Sequence, residues 1–208
     1  MKTKLFFFLL LLMSSFASFS QTENEARELI RQHRYREAIE ILQQFPDTRE
    51  NILMRARSFE ELLNFPAAIR EYEKLLPDNL NDTDLLLSLA EVTWRAGDAD
   101  ASLRYWTQIN ELSPGNLFFQ TRKTVAHYRV SDWQGTIDAS QKVFEQDSIP
   151  LLLRYLGDAY TNLGSTEGMF YYREAIARNP ADYISVMRLG NIYYNSAPAR
   201  TRISGYVL

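Results

Sequence analysis

The chain of 208 residues contains no cysteine, two histidines, eight glycines and a single long apolar run. The lack of cysteine excludes disulfides, thiol catalysis and cysteine-bound zinc. His33 and His127 lie far apart in sequence and neither belongs to an HExxH pattern, so they indicate no zinc site. The glycines form neither a GxGxxG motif nor a phosphate-binding loop, and no GxSxG motif occurs. The sequence therefore predicts a protein that is not an enzyme and that uses no cofactor or metal.

The single long apolar run lies near the start of the chain. Two lysines precede nine apolar residues, and small residues follow at the positions that a signal peptidase requires: Lys2, Lys4, residues 5–13, Ser18 and Ser20. A membrane-spanning helix needs about 18 apolar residues, twice the length of this run. We therefore predict a signal peptide over residues 1–20, cleaved before Gln21, with Ala17 as a second cleavage point. The mature protein is then exported to the periplasm or cell envelope without a cysteine for lipid attachment.

The balance of charge excludes one class of partner. Without residues 1–20, which contain two lysines and no acid, 21 basic residues face 26 acidic ones, a formal net charge of −5. Binding to phosphates requires a basic surface, so nucleic acid is not an expected partner. No later segment is long and apolar enough to span a bilayer, so no stable membrane insertion is expected after cleavage.

Small residues recur along the rest of the chain with a nearly constant period. One series lies in the middle of successive amphipathic segments at spacings of 30, 34, 34, 33 and 33: Ala26, Ala56, Ala90, Thr124, Gly157 and Gly190. A second series follows the first by twelve residues: Ala38, Ala68, Ser102 and Thr136. In the fifth segment Met169 takes that place, and Gly168 beside it restores the pattern if a loop is one residue shorter. A period near 34 residues indicates stacked pairs of helices.

These residues resemble the tetratricopeptide repeat, a helix-turn-helix unit of about 34 residues with a Trp/Leu-Gly/Tyr, Ala, Phe, Pro pattern. The matching segments are Leu89-Ala90, Leu156-Gly157 with Tyr160, Leu189-Gly190 with Tyr193, Tyr35 to Ile39, Phe65 to Ile69 with Tyr72, and Trp133 to Ile137. The resemblance covers roughly residues 23–194. It implies an all-α, right-handed superhelical solenoid of about five helix-turn-helix units plus a partial sixth. We assign this solenoid to residues 21–195 and an irregular tail to residues 196–208.

In tetratricopeptide solenoids the first helix of each unit lines a concave groove that receives a peptide or a partner helix, so the resemblance implies a groove here too. The residues predicted to contact a partner in that groove are Trp94, Arg95, Arg122, Tyr128, Arg129, Arg154, Tyr155, Asp158, Asn162, Arg188, Asn191 and Tyr194. Arginine recurs among them although the chain is acidic. Because guanidinium groups bind carboxylates through paired hydrogen bonds, this mixture favours an acidic peptide or protein partner. The alternative is that these arginines pair with neighbouring acids such as Glu91 and Asp158.

The function that follows is that of a scaffold or adaptor in the bacterial cell envelope, binding a peptide or partner protein in the groove. Two alternatives stay open from sequence. One is the exported input portion of a longer sensor, and the other is a glycan-binding helical-repeat protein, for which Trp94 is the one tryptophan assigned to the groove. Past Gly190 the sequence gives no second helix, since Pro198 and Gly205 oppose one. An apolar edge including Ile184, Met187 and Tyr194 is then uncovered, and we expect it to be covered by self-association, by a partner, or by further repeats of a longer protein.

Overall fold

The computed structural model describes residues 23–147 and 149–196, and these residues form eleven α-helices and no strand. The helices are α1 (residues 23–31), α2 (Tyr35–Leu42), α3 (Arg49–Glu61), α4 (Phe65–Glu73), α5 (Thr83–Ala96), α6 (Ala99–Leu112), α7 (Leu117–Arg129), α8 (Trp133–Phe144), α9 (Pro150–Asn162), α10 (Glu167–Arg178) and α11 (Tyr183–Ser196). A short 3₁₀ turn, Leu76–Asp78, follows α4. The all-α class and the five helical hairpins followed by one further helix, α11, are confirmed. The predicted signal peptide and most of the predicted tail lie outside the described residues, and Ser196 is the last residue of α11.

The chain divides into two compact units, residues 1–102 (unit 1) and 103–208 (unit 2). In unit 1, α3 packs against α2 and α4, and α4 also packs against α5. In unit 2, each helix from α7 to α11 packs against the next along the chain. A helix with one apolar stripe cannot bury that stripe alone, so neighbouring amphipathic helices pack together within each unit.

Local sequence signals start the helices. Asp82 caps α5 by accepting the Leu85 backbone N–H at 3.1 Å, and Asp132 caps α8 by accepting the Gly135 N–H at 2.9 Å. Thr48, Asn64 and Asn116 cap α3, α4 and α7 in the same way. These side chains satisfy backbone donors that lack a partner within the helix, which is why Asp, Asn and Thr recur before the apolar segments.

The small residues lie where paired helices approach most closely. Ala56, Ala90, Thr124 and Gly157 are fully buried in the first helices of four hairpins. The Ser102 hydroxyl donates to the Ala90 carbonyl at 2.9 Å, which ties α6 to α5. In the fifth hairpin Gly168 is buried, and a Cβ on it would come within 2.7 Å of the Gly157 carbonyl oxygen. The expected one-residue adjustment at this position is therefore confirmed.

Leucine at any of Ala38, Ala68 and Ala90 is expected to overpack these crossings. All three alanines are fully buried, so the added atoms have no space without a backbone shift. Each substitution should lower the free energy of unfolding by about 1–3 kcal/mol in urea denaturation. Ala96→Leu is the control, because Ala96 is exposed at the end of α5 and the same added volume meets solvent. Unchanged stability in all three buried variants would contradict the register.

Each of the five hairpin turns in the described part of the chain has one residue in the left-handed backbone region. These residues are His33, Leu63, Gly97, Ser131 and Gly164, each seven positions after the small residue of its first helix, with φ between 57° and 84°. The left-handed region costs an L-residue roughly 1–2 kcal/mol, while glycine adopts it readily. Three of the five turns are therefore strained by their side chains.

Leu63→Gly is expected to stabilise the protein by about 0.5–1 kcal/mol. Leu63 has φ of 57° and a side chain that is 68% exposed, so glycine relieves backbone strain and gives up little burial. The gain is smaller than the strain itself, because glycine also loses more entropy on folding. Leu163→Gly is the matched control: Leu163 is a half-exposed residue in the equivalent turn with φ of −81°, so its replacement relieves nothing and should lower the melting temperature.

Candidate functional site

The first helices of unit 2 carry most of the predicted partner-binding residues on one face. Successive residues of an α-helix point about 100° apart, so positions −3, −2, +1, +4 and +5 from the small residue share an arc of about 120°. The first-helix face of unit 2 is formed by these positions on α7, α9 and α11, and it includes ten of the predicted residues: Arg122, Tyr128, Arg129, Arg154, Tyr155, Asp158, Asn162, Arg188, Asn191 and Tyr194. Arg129, Asn162, Arg188, Asn191 and Tyr194 are exposed, whereas Asp158 is buried.

Two tyrosines join α7 to α9 at the centre of this face. The rings of Tyr128 and Tyr155 stack with centroids 3.8 Å apart and planes tilted by 11°. The Arg154 guanidinium lies 5.7 Å from the centroid of the Tyr155 ring, at cation–π distance. Trp133, at the start of α8, contacts Tyr128 edge to face with centroids 5.8 Å apart. The result is a stacked aromatic platform with an arginine beside it.

Asp158 supports the stacked tyrosines through contacts on their buried side. Its carboxylate accepts the Tyr128 hydroxyl at 2.8 Å and the Tyr172 hydroxyl at 2.7 Å, and Arg188 approaches it at 3.3 Å. The Asp158 residue is 5% exposed, and Tyr172, from α10, is 1% exposed. We call Tyr128, Tyr155, Asp158, Tyr172 and Arg188 the tyrosine–aspartate cluster. It links four helices through one buried carboxylate, so Asp158 supports the face from within and its oxygens are already engaged.

The cluster changes the acidity of its tyrosines. Burial, followed by the hydrogen bond to Asp158, raises the pKa of Tyr128 to about 12. The same two causes, in the same order, raise the pKa of Tyr172 still further. A negative phenolate beside a buried carboxylate is unfavourable, so both hydroxyls remain donors throughout the physiological range. The cluster therefore has the chemistry of a fixed support, with both tyrosines protonated.

A second ion pair lies at the edge of the same face, between α9 and the start of α11. Arg154 donates to Asp182 at 3.0 Å, and the Ser185 hydroxyl donates to the same carboxylate at 2.8 Å. Burial by itself raises the pKa of Asp182, but the hydrogen bonds from Ser185 and Arg154 outweigh it and leave the pKa below its ordinary value. Arg154 and Arg188 thus pair with acids of their own chain, as the alternative interpretation of the arginines anticipated.

The other predicted residues of unit 2 lie around this centre. The Arg122 guanidinium lies 5.2 Å from the Trp106 ring centroid and 5.9 Å from that of Phe118. The Asn162 side chain donates to the Asp158 backbone carbonyl at 2.8 Å. Arg129, Asn191 and Tyr194 are exposed at the ends of α7 and on α11. The structure therefore brings the α7 and α9 residues together around the stacked tyrosines and leaves Asn191 and Tyr194 peripheral.

Trp94 and Arg95, the two remaining predicted residues, lie on α5 in unit 1. Trp94 is partly buried. The Arg95 guanidinium lies 4.7 Å from the Phe65 ring centroid and binds Glu60 at 2.8 Å. Arg95 is thus anchored to both helices of the preceding hairpin.

Unit 1 also contains an arginine-lined pocket that the sequence interpretation missed. Its volume is about 360 Å³, and it is lined by Arg27, Arg49, Glu50, Leu53, Met54 and Arg57. Three guanidinium groups meet one carboxylate there, and Arg27 pairs with Glu50 at 2.6 Å. The repeat register could have revealed this pocket: Arg27 and Arg57 directly follow Ala26 and Ala56, as Asp158 follows Gly157.

Neither a metal-binding cluster nor a membrane-spanning helix occurs among the described residues. Within residues 23–147 and 149–196, no three His, Asp or Glu side chains come together in a way that could hold a metal ion. None of the helices described there is long and apolar enough to cross a membrane.

A family model assigns the repeat. Residues 53–115, which span α3 to the loop after α6, match the model described as tetratricopeptide repeat. This segment of the chain therefore carries tetratricopeptide repeats. The predicted resemblance to tetratricopeptide repeats and the helical-repeat fold are confirmed. No curated protein is similar enough in sequence to this chain to count as a match.

Solved structures with the same fold share little sequence with this chain. YrrB, described as a TPR protein with an unusual peptide-binding site, superposes with a TM-score of 0.65 at 15% identity, covering 80% of this chain and 89% of YrrB. A MamA structure gives 0.62 at 18% identity, covering 74% and 86%. MamA from Desulfovibrio magneticus RS-1 gives 0.60 at 14% identity, covering 78% and 96%. At these identities the likeness establishes the fold alone.

Proposed function

We propose that this protein is a non-enzymatic scaffold that binds an acidic segment of a partner protein on the first-helix faces of its repeats. The observation that carries the proposal is the concentration of arginine on those faces in a chain whose net charge is −3. These arginines are Arg27, Arg31, Arg57, Arg95, Arg122, Arg129, Arg154 and Arg188. The tetratricopeptide fold itself suggests a role in protein–protein interaction.

The surroundings of these arginines suit a peptide with acidic and apolar side chains. In unit 1 the pocket around Arg27 and Arg57 includes Leu53 and Met54, which give an apolar surface beside the guanidinium groups. In unit 2 the stacked Tyr128 and Tyr155 do the same. Interfaces favour arginine and tyrosine because both combine hydrogen bonding with a large contact area. The peptide-binding site described for YrrB, on a similar fold, supports a peptide as the ligand.

The ion pairs within the faces limit how the arginines act. Arg188 remains half exposed beside Asp158, so its outer N–H groups are accessible to a ligand carboxylate while its Nε faces inward. Arg154 is mostly covered beside Asp182 and serves chiefly to fix α9 against α11. We therefore assign direct contact with the partner to the exposed Arg57, Arg129 and Arg188, and a supporting role to Arg154.

We further propose that the protein acts in the bacterial cell envelope. The support is the pattern of residues 1–20: two lysines, nine apolar residues and small residues before Gln21. Mass spectrometry of the protein purified from the envelope fraction tests this proposal. An N-terminus at Gln21 is the expected result, and an intact Met1 in the soluble cytoplasm would overturn it.

Charge reversal on the first-helix faces tests the proposed partner class. Fluorescently labelled 12-residue peptides with the same aromatic residues and increasing numbers of Glu are the probes. Arg27→Glu with Arg57→Glu reverses two charges of the unit 1 pocket and should weaken binding of the most acidic peptide at least about tenfold, since each lost charge pair contributes on the order of 1 kcal/mol. Binding should also weaken as salt rises.

Arg36→Glu with Arg104→Glu is the matched control, because both arginines are exposed on second helices, α2 and α6. The net charge of the two double variants is identical, so a difference between them reports position rather than total charge. Equal loss of peptide binding in both double variants would show that the effect comes from the net charge of the protein and not from the position of the arginines. Peptide affinity that does not depend on the number of Glu residues would overturn the acidic-ligand proposal.

A further inference from the structure

The helix α11 presents a continuous uncharged face that the described residues leave open. Tyr183, Val186, Met187, Tyr193 and Tyr194 are all exposed on it, Tyr183 at 78% and Met187 at 54%. Gly190 lies at the centre, and a Cβ built there would meet no atom within 4 Å. The opposite side of α11 carries the buried Ser185.

The size of this face is large for an apolar patch on a monomer. From their exposed fractions, the five side chains present on the order of 500 Å² of surface, near the upper end of the largest patch on typical monomers. Two such faces in contact would bury on the order of 1,000 Å², which reaches the lower limit for a specific interface. A second copy of the chain therefore supplies enough area to form a stable contact.

The arrangement around Gly190 is complementary to itself. Val186 and Met187 lie one turn before Gly190, and Tyr193 and Tyr194 lie one turn after it. In an antiparallel crossing of α11 with the same helix of a second copy, the aliphatic pair of one helix opposes the tyrosine pair of the other, twice by symmetry. The two glycines meet at the crossing point and permit close approach of the backbones, as the small residues do within the hairpins.

The absence of charge on the α11 face and the contacts of Tyr193 also favour a second copy of the chain as the partner. No charged residue lies on the face, so a second copy meets no like charge there even though the whole chain is acidic. Arg173 of α10 holds Tyr193 in place by donating to its hydroxyl, and the guanidinium lies 5.9 Å from the ring centroid. Part of the face is thereby preorganised for contact. We propose that the α11 face, crossing at Gly190, is a two-fold self-association surface of this protein.

Sedimentation velocity of the purified chain from about 1 µM to about 100 µM tests the proposal. The expected result is a monomer–dimer equilibrium within this range. Gly190→Leu should weaken association at least about tenfold, because the new side chains collide at the crossing. The monomer itself has room for this leucine and gains helix propensity, so its melting temperature should not fall. Tyr194→Glu should act in the same direction by placing a carboxylate in the interface.

Leu151→Glu is the control, since Leu151 is an exposed apolar residue on α9 outside the face. It should leave the dimerisation constant unchanged. A chain that stays monomeric at every concentration overturns the proposal, and so does association that Gly190→Leu leaves intact. A monomer that shows hydrogen-exchange protection at residues 197–208 would assign the face to that segment instead. A monomer that sediments with phosphatidylglycerol vesicles would assign it to a lipid surface.

Discussion

Replacing Arg55 by alanine is expected to lower the free energy of unfolding by about 3–5 kcal/mol, a large effect for a single side chain. The Arg55 side chain is only 3% exposed and lies inside unit 1. It donates to Glu71 at 2.9 Å and to the Leu42 carbonyl at 3.1 Å, and it also binds Asp47. One guanidinium thus joins α3 to α4, to the end of α2 and to the loop between α2 and α3. Alanine leaves the mostly buried Glu71 with one cation fewer and opens a cavity.

Urea denaturation followed by circular dichroism measures this loss. Arg57→Ala is the matched control, since Arg57 lies two residues away on the same helix with an exposed side chain and should change stability by less than about 0.5 kcal/mol. Arg55→Met with Glu71→Met should recover much of the loss, because removing both charges leaves neither one buried alone. A single Arg55→Ala variant as stable as the unmodified protein would show that solvent reaches this site.

Asp158→Ala is expected to destabilise unit 2 by about 3 kcal/mol. The substitution removes the acceptor of two tyrosine hydroxyls and the partner of Arg188 at one buried point. A hydrogen bond to a charged group contributes about 1.5–3 kcal/mol, and a buried donor without an acceptor adds a desolvation cost. The Tyr172 hydroxyl, which is fully enclosed, bears most of that cost. Thermal unfolding monitored by tyrosine fluorescence is the measurement.

Two further variants separate the parts of the cluster. Asp158→Asn keeps an acceptor without the charge and should cost less than alanine, whereas Tyr172→Phe should cost about 1–2 kcal/mol by leaving one carboxylate oxygen without its donor. If Asp158→Ala changes the melting temperature no more than a surface substitution does, the carboxylate is not the support that its contacts indicate.

Alkaline pH gives an independent check on the same cluster. The ordinary tyrosine pKa is about 10, so tyrosines of the unfolded chain lose their protons before Tyr128, whose pKa is raised to about 12. The stability contributed by this hydroxyl is therefore fully present below about pH 10 and is lost as the pH rises towards about 12. Tyr128→Phe should make the pH dependence of stability shallower in this window. An unchanged profile would contradict the raised pKa.

The helical hairpins could be predicted because their determinants are local. Ala56 and Ala90 indicate helix crossings because they are small, and Asp82 and Asn116 indicate helix starts because their side-chain oxygens cap backbone N–H groups. The spacing of the small residues and the positions of the capping residues predict the same helices. Even the shortened fifth hairpin was visible as Gly168 beside Met169. At the C-terminal edge, the exposure of Ile184, Met187 and Tyr194 agrees with the absence of a further repeat signal.

The arrangement of the candidate site could not be predicted from the sequence, because it depends on contacts between side chains of different helices. Arg154 meets Asp182 across 28 positions and Tyr128 meets Asp158 across 30, and no local pattern marks either pair. Sequence placed Asp158 on the groove as a binding residue, while the structure buries it under two tyrosines. Likewise Arg55 resembles any surface arginine of an amphipathic helix until its partners on α2 and α4 are known. The partner-binding role of the groove residues remains a prediction.

The constant geometry of the hairpin turns has a consequence for how this chain can change in length. The left-handed turn residue always lies seven positions after the small residue of the first helix. The small residue of the second helix follows the turn residue after five positions, or after four at Gly168. Differences in repeat length therefore fall mainly in the loops between hairpins, such as residues 113–116. Insertions such as an epitope tag should be accepted in those loops and rejected at Ser131 or Gly164, where one extra residue would rotate the second helix away from its crossing. Length variation among homologues should follow the same division.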